Sequence, residues 1–226
     1  MIKVNDLSKQ YGSNRGLTGI NICFEQGKVY GIVGENGAGK TTLFRCVAGL
    51  EDCDGQITST HLPLKNHLGL LFAEPFFFPK ITGREYIQLL CNARKIKVNN
   101  IDDKNIFDLP LNQYASTYST GMKKKLAITA ILLQENKYLI FDEPFNGVDI
   151  HGNIVISAII RKLKELNKTI IISSHIFSTL NDLCDEIHLL KNGCFTEFAL
   201  KSDFLQLEKK MNDITVGTKL EKFDLQ

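Results

Sequence analysis

The sequence predicts an α/β fold with a mainly parallel sheet at its centre, and three observations predict it. Over the second half of the chain, short β-branched and apolar runs alternate with segments of helical spacing. That alternation marks a parallel sheet covered on both faces. A glycine cluster stands between the strand-like Val29–Val33 and the helical Thr41–Ala48, a strand–loop–helix order that aims a helix N-terminus at its ligand. The 226 residues are 43% hydrophobic, which suits one domain with a substantial core.

In chain order, Ile2–Leu7 and Ile20–Phe24 read as short strands. Val29–Val33 is a third, and the helix Thr41–Ala48 stops at Gly49. Between about residues 76 and 133 the pattern becomes helical. Arg84–Arg94 is one helix, and Met122–Leu133 is another, with Leu126, Ile128, Ala130, Ile131 and Leu133 on a broad apolar face. Leu68–Phe72 is a strand before this segment, and Tyr138–Phe141 a buried-type strand after it. Then follow the helix Ile154–Leu166, the strand Thr169–Ser173, the short helix Phe177–Leu183 and the strand Ile187–Leu190. Lys191-Asn192-Gly193 turns the chain into Cys194–Phe198. The last 25 or so residues are polar and read as one helix and a tail.

Net charge is +2, too mild to predict a nucleic-acid partner, which calls for a strongly basic face. The longest apolar runs, Ile154–Ile160 and Thr169–Ile172, fall far short of the roughly 20 residues that cross a bilayer. No basic-then-apolar leader opens the chain. Cys23, Cys46, Cys53, Cys91, Cys184 and Cys194 form no CxxC pair and read as free thiols of a reducing cytosol.

The strongest motif is Gly34-Glu35-Asn36-Gly37-Ala38-Gly39-Lys40-Thr41. It fits G-x-x-x-x-G-K-[ST] at every fixed position. Its glycines let successive N–H groups turn inward as an anion nest, and the following helix adds partial positive charge. Lys40 is placed to hold the terminal phosphates of a nucleotide, with Thr41 on Mg²⁺. Thr42 completes the loop.

A hundred residues on, Tyr138–Phe141 runs into Asp142-Glu143-Pro144. Adjacent carboxylates at the end of a buried strand are costly unless they serve a cation or a proton transfer. Asp142 is the candidate Mg²⁺ residue, and Glu143 the candidate to orient or deprotonate water. Pro144 is expected to keep Glu143 extended.

With these residues the chain resembles the ABC ATPase family. Tyr118-Ser119-Thr120-Gly121-Met122 is similar to the family signature LSGGQ. It departs at the first, third and fifth positions, keeps Ser119 and Gly121, and looks like the form used by the drug- and polysaccharide-export branch. The resemblance makes Tyr11 the aromatic that stacks on adenine. It makes Asn146-Gly147-Val148-Asp149 the D-loop, whose Asp149 crosses a dimer interface, and His175, after Ser173-Ser174, the switch histidine. One departure stands out. The family places a glutamine near the end of the strand Leu68–Phe72, where this chain has Ala73; the adjacent Glu74 is the candidate to take over the metal contact.

The resemblance covers about residues 1–200. It implies a P-loop NTPase of the ABC-ATPase fold, with an N-terminal antiparallel β subdomain, a helical subdomain inserted at about 76–133, and a C-terminal helix and tail over 201–226. It implies ATP and Mg²⁺, and a composite site in which Gly34–Thr42 of one subunit faces Ser119–Met122 of another. It further implies a separate transmembrane permease subunit, a second ATPase subunit of the same or a paralogous chain, and a cytoplasmic, peripheral location on the inner face of the membrane. Transport, and export rather than uptake, is the expected role. The alternatives are a non-transport ABC ATPase and an ATP-sensing module with weak turnover. Phe76-Phe77-Phe78 either lines a groove for the permease or fills core, and Lys123-Lys124-Lys125 reads as a solvated helix face.

Overall fold

The chain opens with a hairpin of two long strands, β1 (Ile2–Tyr11) and β2 (Asn14–Phe24), seen in a computed structural model that describes residues 1–12 and 14–210. Both strands are longer than their apolar runs predict, because antiparallel pairing extends from Ile2↔Phe24 to Tyr11↔Asn14 across several register shifts. Next come β3 (Val29–Val33) and α1 (Lys40–Val47). Then β4 (Asp54–Ser59) pairs with the other side of β1 to complete a three-stranded antiparallel sheet, β2-β1-β4. The sequence pattern gave no sign of β4. Its residues DGQITS are mostly exposed, so its place is fixed by the ladder with β1 rather than by an apolar stripe.

After β5 (Leu68–Leu71) come α2 (Gly83–Ala93) and α3 (Thr120–Leu132), followed by β6 (Tyr138–Phe141), α4 (Ile150–Glu165) and β7 (Thr169–Ser174). The short α5 (Ser178–Asn181), β8 (Glu186–Lys191) and β9 (Cys194–Leu200) follow. Helix α4 starts four residues earlier than its apolar periodicity, because the Asp149 side chain caps it. Residues 204–210 are helical, and the rest of the expected C-terminal tail lies outside the described residues.

The central sheet has the order β5-β6-β7-β3-β8-β9. All of its pairs are parallel except β8 with β9. Strands β3, β6 and β7 are buried at every residue, as strands covered on both faces must be. Their alternation divides the core. Val29, Leu139, Phe141, Ile170 and Ile172 join α3, α4 and α5 on one face, while Tyr30, Ile32, Tyr138, Ile140 and Ile171 meet the antiparallel sheet and α1 on the other. A third cluster links α2 and α3 through Ile87, Cys91, Tyr118, Leu126 and Ala130. Helix α3 thus packs on the sheet along one side and on α2 along another. The six cysteines are free thiols.

Candidate active site

The three central strands end together, and the site forms where they do, as ligand crevices do at the carboxyl ends of parallel strands. Beyond β3, the loop turns into α1 at Gly39, whose φ of 109° lies in a region that a side chain would strain. The loop, Ala73, Asp142, Glu143, Asn146 and His175 line one cleft of about 400 Å³. The Lys40 ammonium is nearly buried and donates to Gly34 O at 2.6 Å and Glu35 O at 3.3 Å. It also lies 3.5 Å from Glu143 Oε1.

Asp142 is 1% exposed at the end of β6. The Thr41 hydroxyl donates to its Oδ2 at 2.6 Å, and the Ser173 hydroxyl to its Oδ1 at 2.5 Å. A buried carboxylate is tolerated when its lone pairs are filled in this way. Strand pairing brings these groups together: β7 lies beside β6, with Phe141 opposite Ile172, so Ser173 follows alongside Asp142.

Glu143 accepts from His175 Nδ1 through its Oε2 at 3.0 Å. Its Oε1 is buried without a hydrogen-bond partner. Its backbone departs from expectation. Glu143 is not extended but has φ of 50°, in the left-handed region. Here bonds from elsewhere in the fold override the preference that Pro144 imposes: Glu143 N–H donates to Ser173 Oγ at 2.9 Å, and Glu143 O accepts from Lys124 Nζ at 2.7 Å.

The expectation of a solvated face at Lys123–Lys125 is therefore overturned. Lys124 is 1% exposed, and its ammonium also donates to Asn146 O at 2.8 Å. Lys125 pairs with Asp149 Oδ2 at 2.6 Å, its side chain 13% exposed. The sign of burial was in the spacing. Lys124 lies three residues before Ala127 and seven before Ile131, on the stripe that faces the core. Ser173 was visible only as part of a polar end to a strand; its role comes from the pairing of β7 with β6.

The other expected site residues lie outside this cleft in the single chain. Ser119 caps α3, accepting from Met122 N–H at 3.2 Å, and Gly121 packs in the first turn against Gly147. Asp149 caps α4 through Gly152 N–H at 2.6 Å. Tyr11 is 44% exposed at the end of β1, with its ring beside Gly16, and Gly16 O in turn closes on Gly39. Ala73 lines the cleft, whereas Glu74 is exposed. Glu74 is not among the residues that line the cleft with Thr41 and Asp142.

This cleft can do phosphate chemistry. It offers a backbone nest, a lysine, a hydroxyl beside a buried carboxylate, and a second carboxylate paired with that lysine. Comparison with known proteins agrees. The ABC transporter domain matches residues 17–146. The bacitracin transport ATP-binding protein BcrA of Bacillus licheniformis is 36% identical over 215 residues, covering 87% of this chain and 69% of that protein. The ABC transporter ATP-binding protein NatA of Bacillus subtilis is 32% identical, covering 85% of this chain and 87% of that one. The lantibiotic transport ATP-binding protein SrtF of Streptococcus pyogenes is 31% identical, with coverage of 85% and 88%. Among solved structures, the ATP binding subunit of an ABC transporter superposes with a TM-score of 0.79 at 24% identity, covering 90% of this chain and 91% of that one. A dimeric ATP-binding cassette in a post-hydrolysis state with ADP and Pi superposes with a TM-score of 0.81 at 18% identity, covering 89% and 99%. The two superpositions show the fold, and the family match with the sequence relatives shows the lineage: this chain belongs to the ABC transporter family, as an ATP-binding ATPase subunit.

Proposed function

We propose that the chain powers export through a separate transmembrane subunit by ATP-driven closing and opening of a dimer. The observation that carries the chemistry is the grouping of Thr41, Asp142, Glu143, Lys40 and His175 in one cleft. The loop amides and Lys40 bind the triphosphate of ATP. Glu143 holds the attacking water and takes its proton, while His175 orients the carboxylate from Oε2. Hydrolysis is then in-line transfer to water, driven mainly by positioning and positive charge.

Magnesium fits this site. The Thr41 hydroxyl and the Asp142 carboxylate are hard oxygen donors, 2.6 Å apart beside the phosphate loop. They are the residues that would hold the ion, which when bound supplies charge neutralisation at the terminal phosphates.

In the dimer reading, the capped N-terminus of α3 at Ser119 faces a nucleotide held by the partner's loop, with Asp149 nearby at the interface. ATP joins the two surfaces, and its loss separates them. The relatives named for bacitracin and lantibiotic transport support a drug or peptide cargo, and an inner-face location follows from docking on the permease. The proposed docking site is an apolar groove of about 420 Å³ lined by Leu70, Phe72, Pro75, Phe76, Tyr86 and Leu90. A second reading, an ATP sensor with weak turnover, draws on Ala73 in the cleft wall where the family resemblance leads one to expect glutamine.

Glu143→Gln separates the two readings. As a transporter ATPase it keeps its Mg-ATP affinity, loses about 100-fold or more in turnover, and elutes as an ATP-trapped dimer in size-exclusion chromatography. Turnover at the parent rate would remove Glu143 from the mechanism. A parent chain that binds ATP but shows no turnover, with or without the permease, would favour the sensor.

A further inference from the structure

A lysine at 1% exposure is costly unless its ammonium is satisfied, and Lys124 is satisfied by backbone alone. Its Nζ donates to Glu143 O at 2.7 Å and to Asn146 O at 2.8 Å. Burial lowers its pKa from the ordinary lysine range, and the carboxylates of Glu143, Asp142 and Glu74 act against that fall. The two carbonyls bracket the turn that leaves β6. At the first residue of that turn, Glu143 has φ of 50° and precedes Pro144. Both features disfavour that backbone for a residue with a side chain, so bonds from elsewhere must hold it. Ser173 holds the N–H side, and Lys124 holds the carbonyl side.

We propose that Lys124 is a positioning residue for ATP hydrolysis, clamping the Glu143 and Asn146 carbonyls so that the Glu143 carboxylate keeps its aim at the attacking water. The inference rests on the reading of Glu143 as the residue that orients that water. Lys124 stands on α3, the helix that Ser119 caps. Lys124 touches neither nucleotide nor water, and it transfers no proton.

The test compares Lys124→Met with the parent and with Glu143→Gln, all as full chains. Lys124→Met is expected to lower kcat about tenfold or more while the Kd for Mg-ATP, measured by calorimetry, stays within about twofold. Lys124→Arg keeps a charged, forked donor and is expected to recover most of the lost kcat. A Lys124→Met kcat within about twofold of the parent overturns the inference, as does a Kd that rises in step with the fall in kcat. Either result leaves Glu143 in its role, which fails only if Glu143→Gln turns over at the parent rate. Should Lys124→Met not fold, Lys124→Gln is read in the same way. A kcat loss with Kd held supports the clamp, while unchanged kcat or an equal loss of both overturns it.

Discussion

Gly34 begins the phosphate loop at a point where a side chain has no room. A Cβ there would lie 2.4 Å from Leu190 O and 3.0 Å from the Ala38 Cβ. The first contact is with backbone of β8, which cannot swing aside as a side-chain tip would. Gly34→Ala is therefore expected to displace the loop and weaken Mg-ATP binding by about tenfold or more, since nest and lysine act together on one polyanion. Calorimetry checks this, and an unchanged Kd would show that the loop absorbs the methyl group. Space decides the placement of Lys124 as well. A long side chain can carry its charge through an apolar layer when carbonyls wait at the far side. A sequence shows the length of the stem but not the carbonyls.

At the level of elements, helix starts are set by caps as much as by apolar periodicity. Thr82 caps α2 in a full capping box: its side chain accepts from Glu85 N–H at 3.2 Å, and Glu85 Oε2 accepts from Thr82 N–H at 2.8 Å. Thr82→Ala is expected to cost about 1 kcal/mol and to lower Tm by roughly 2–4 °C. Thermal unfolding measures it, and the ATP affinity of the distant loop should not change. Asp149 does similar work for α4, which is why that helix begins before its hydrophobic stripe. Strand β4 shows the opposite case, an element with no stripe at all, recruited by the free edge of β1. Strands β3, β6 and β7 needed no recruitment. Their continuous apolar runs can be buried only between two layers.

For the whole molecule, the question is which surfaces remain for partners. Phe77 turns inward against Tyr86, with ring centroids 4.4 Å apart. Phe76 and Phe78 are 71% and 54% exposed and meet edge to face. The run thus divides, with Phe77 packed against the core and Phe76 and Phe78 at the surface. In the proposed docking on the permease, these exposed aromatics beside the apolar groove are the contact surface. The double substitution Phe76→Ala with Phe78→Ala is expected to leave ATP turnover of the isolated subunit within about twofold, while copurification with the permease falls tenfold or more, as loss of two aromatic anchors does. Pull-down with the membrane subunit decides this, and unimpaired copurification would move the docking site elsewhere.

The sequence by itself determined the phosphate loop, the paired carboxylates after β6, the parallel sheet and the helical insertion, because each is written in neighbouring residues or in a short period. Only the tertiary structure decided that Ser173 shares Asp142 with Thr41, that Glu143 bends into a left-handed backbone, that Lys124 is buried, and that Ala73 rather than Glu74 faces the cleft. Those outcomes depend on which strand lies beside which and on where distant carbonyls come to rest. Contacts between residues 19 to 101 positions apart leave no local periodicity to read, and the energy that settles them exists only once the layers have packed.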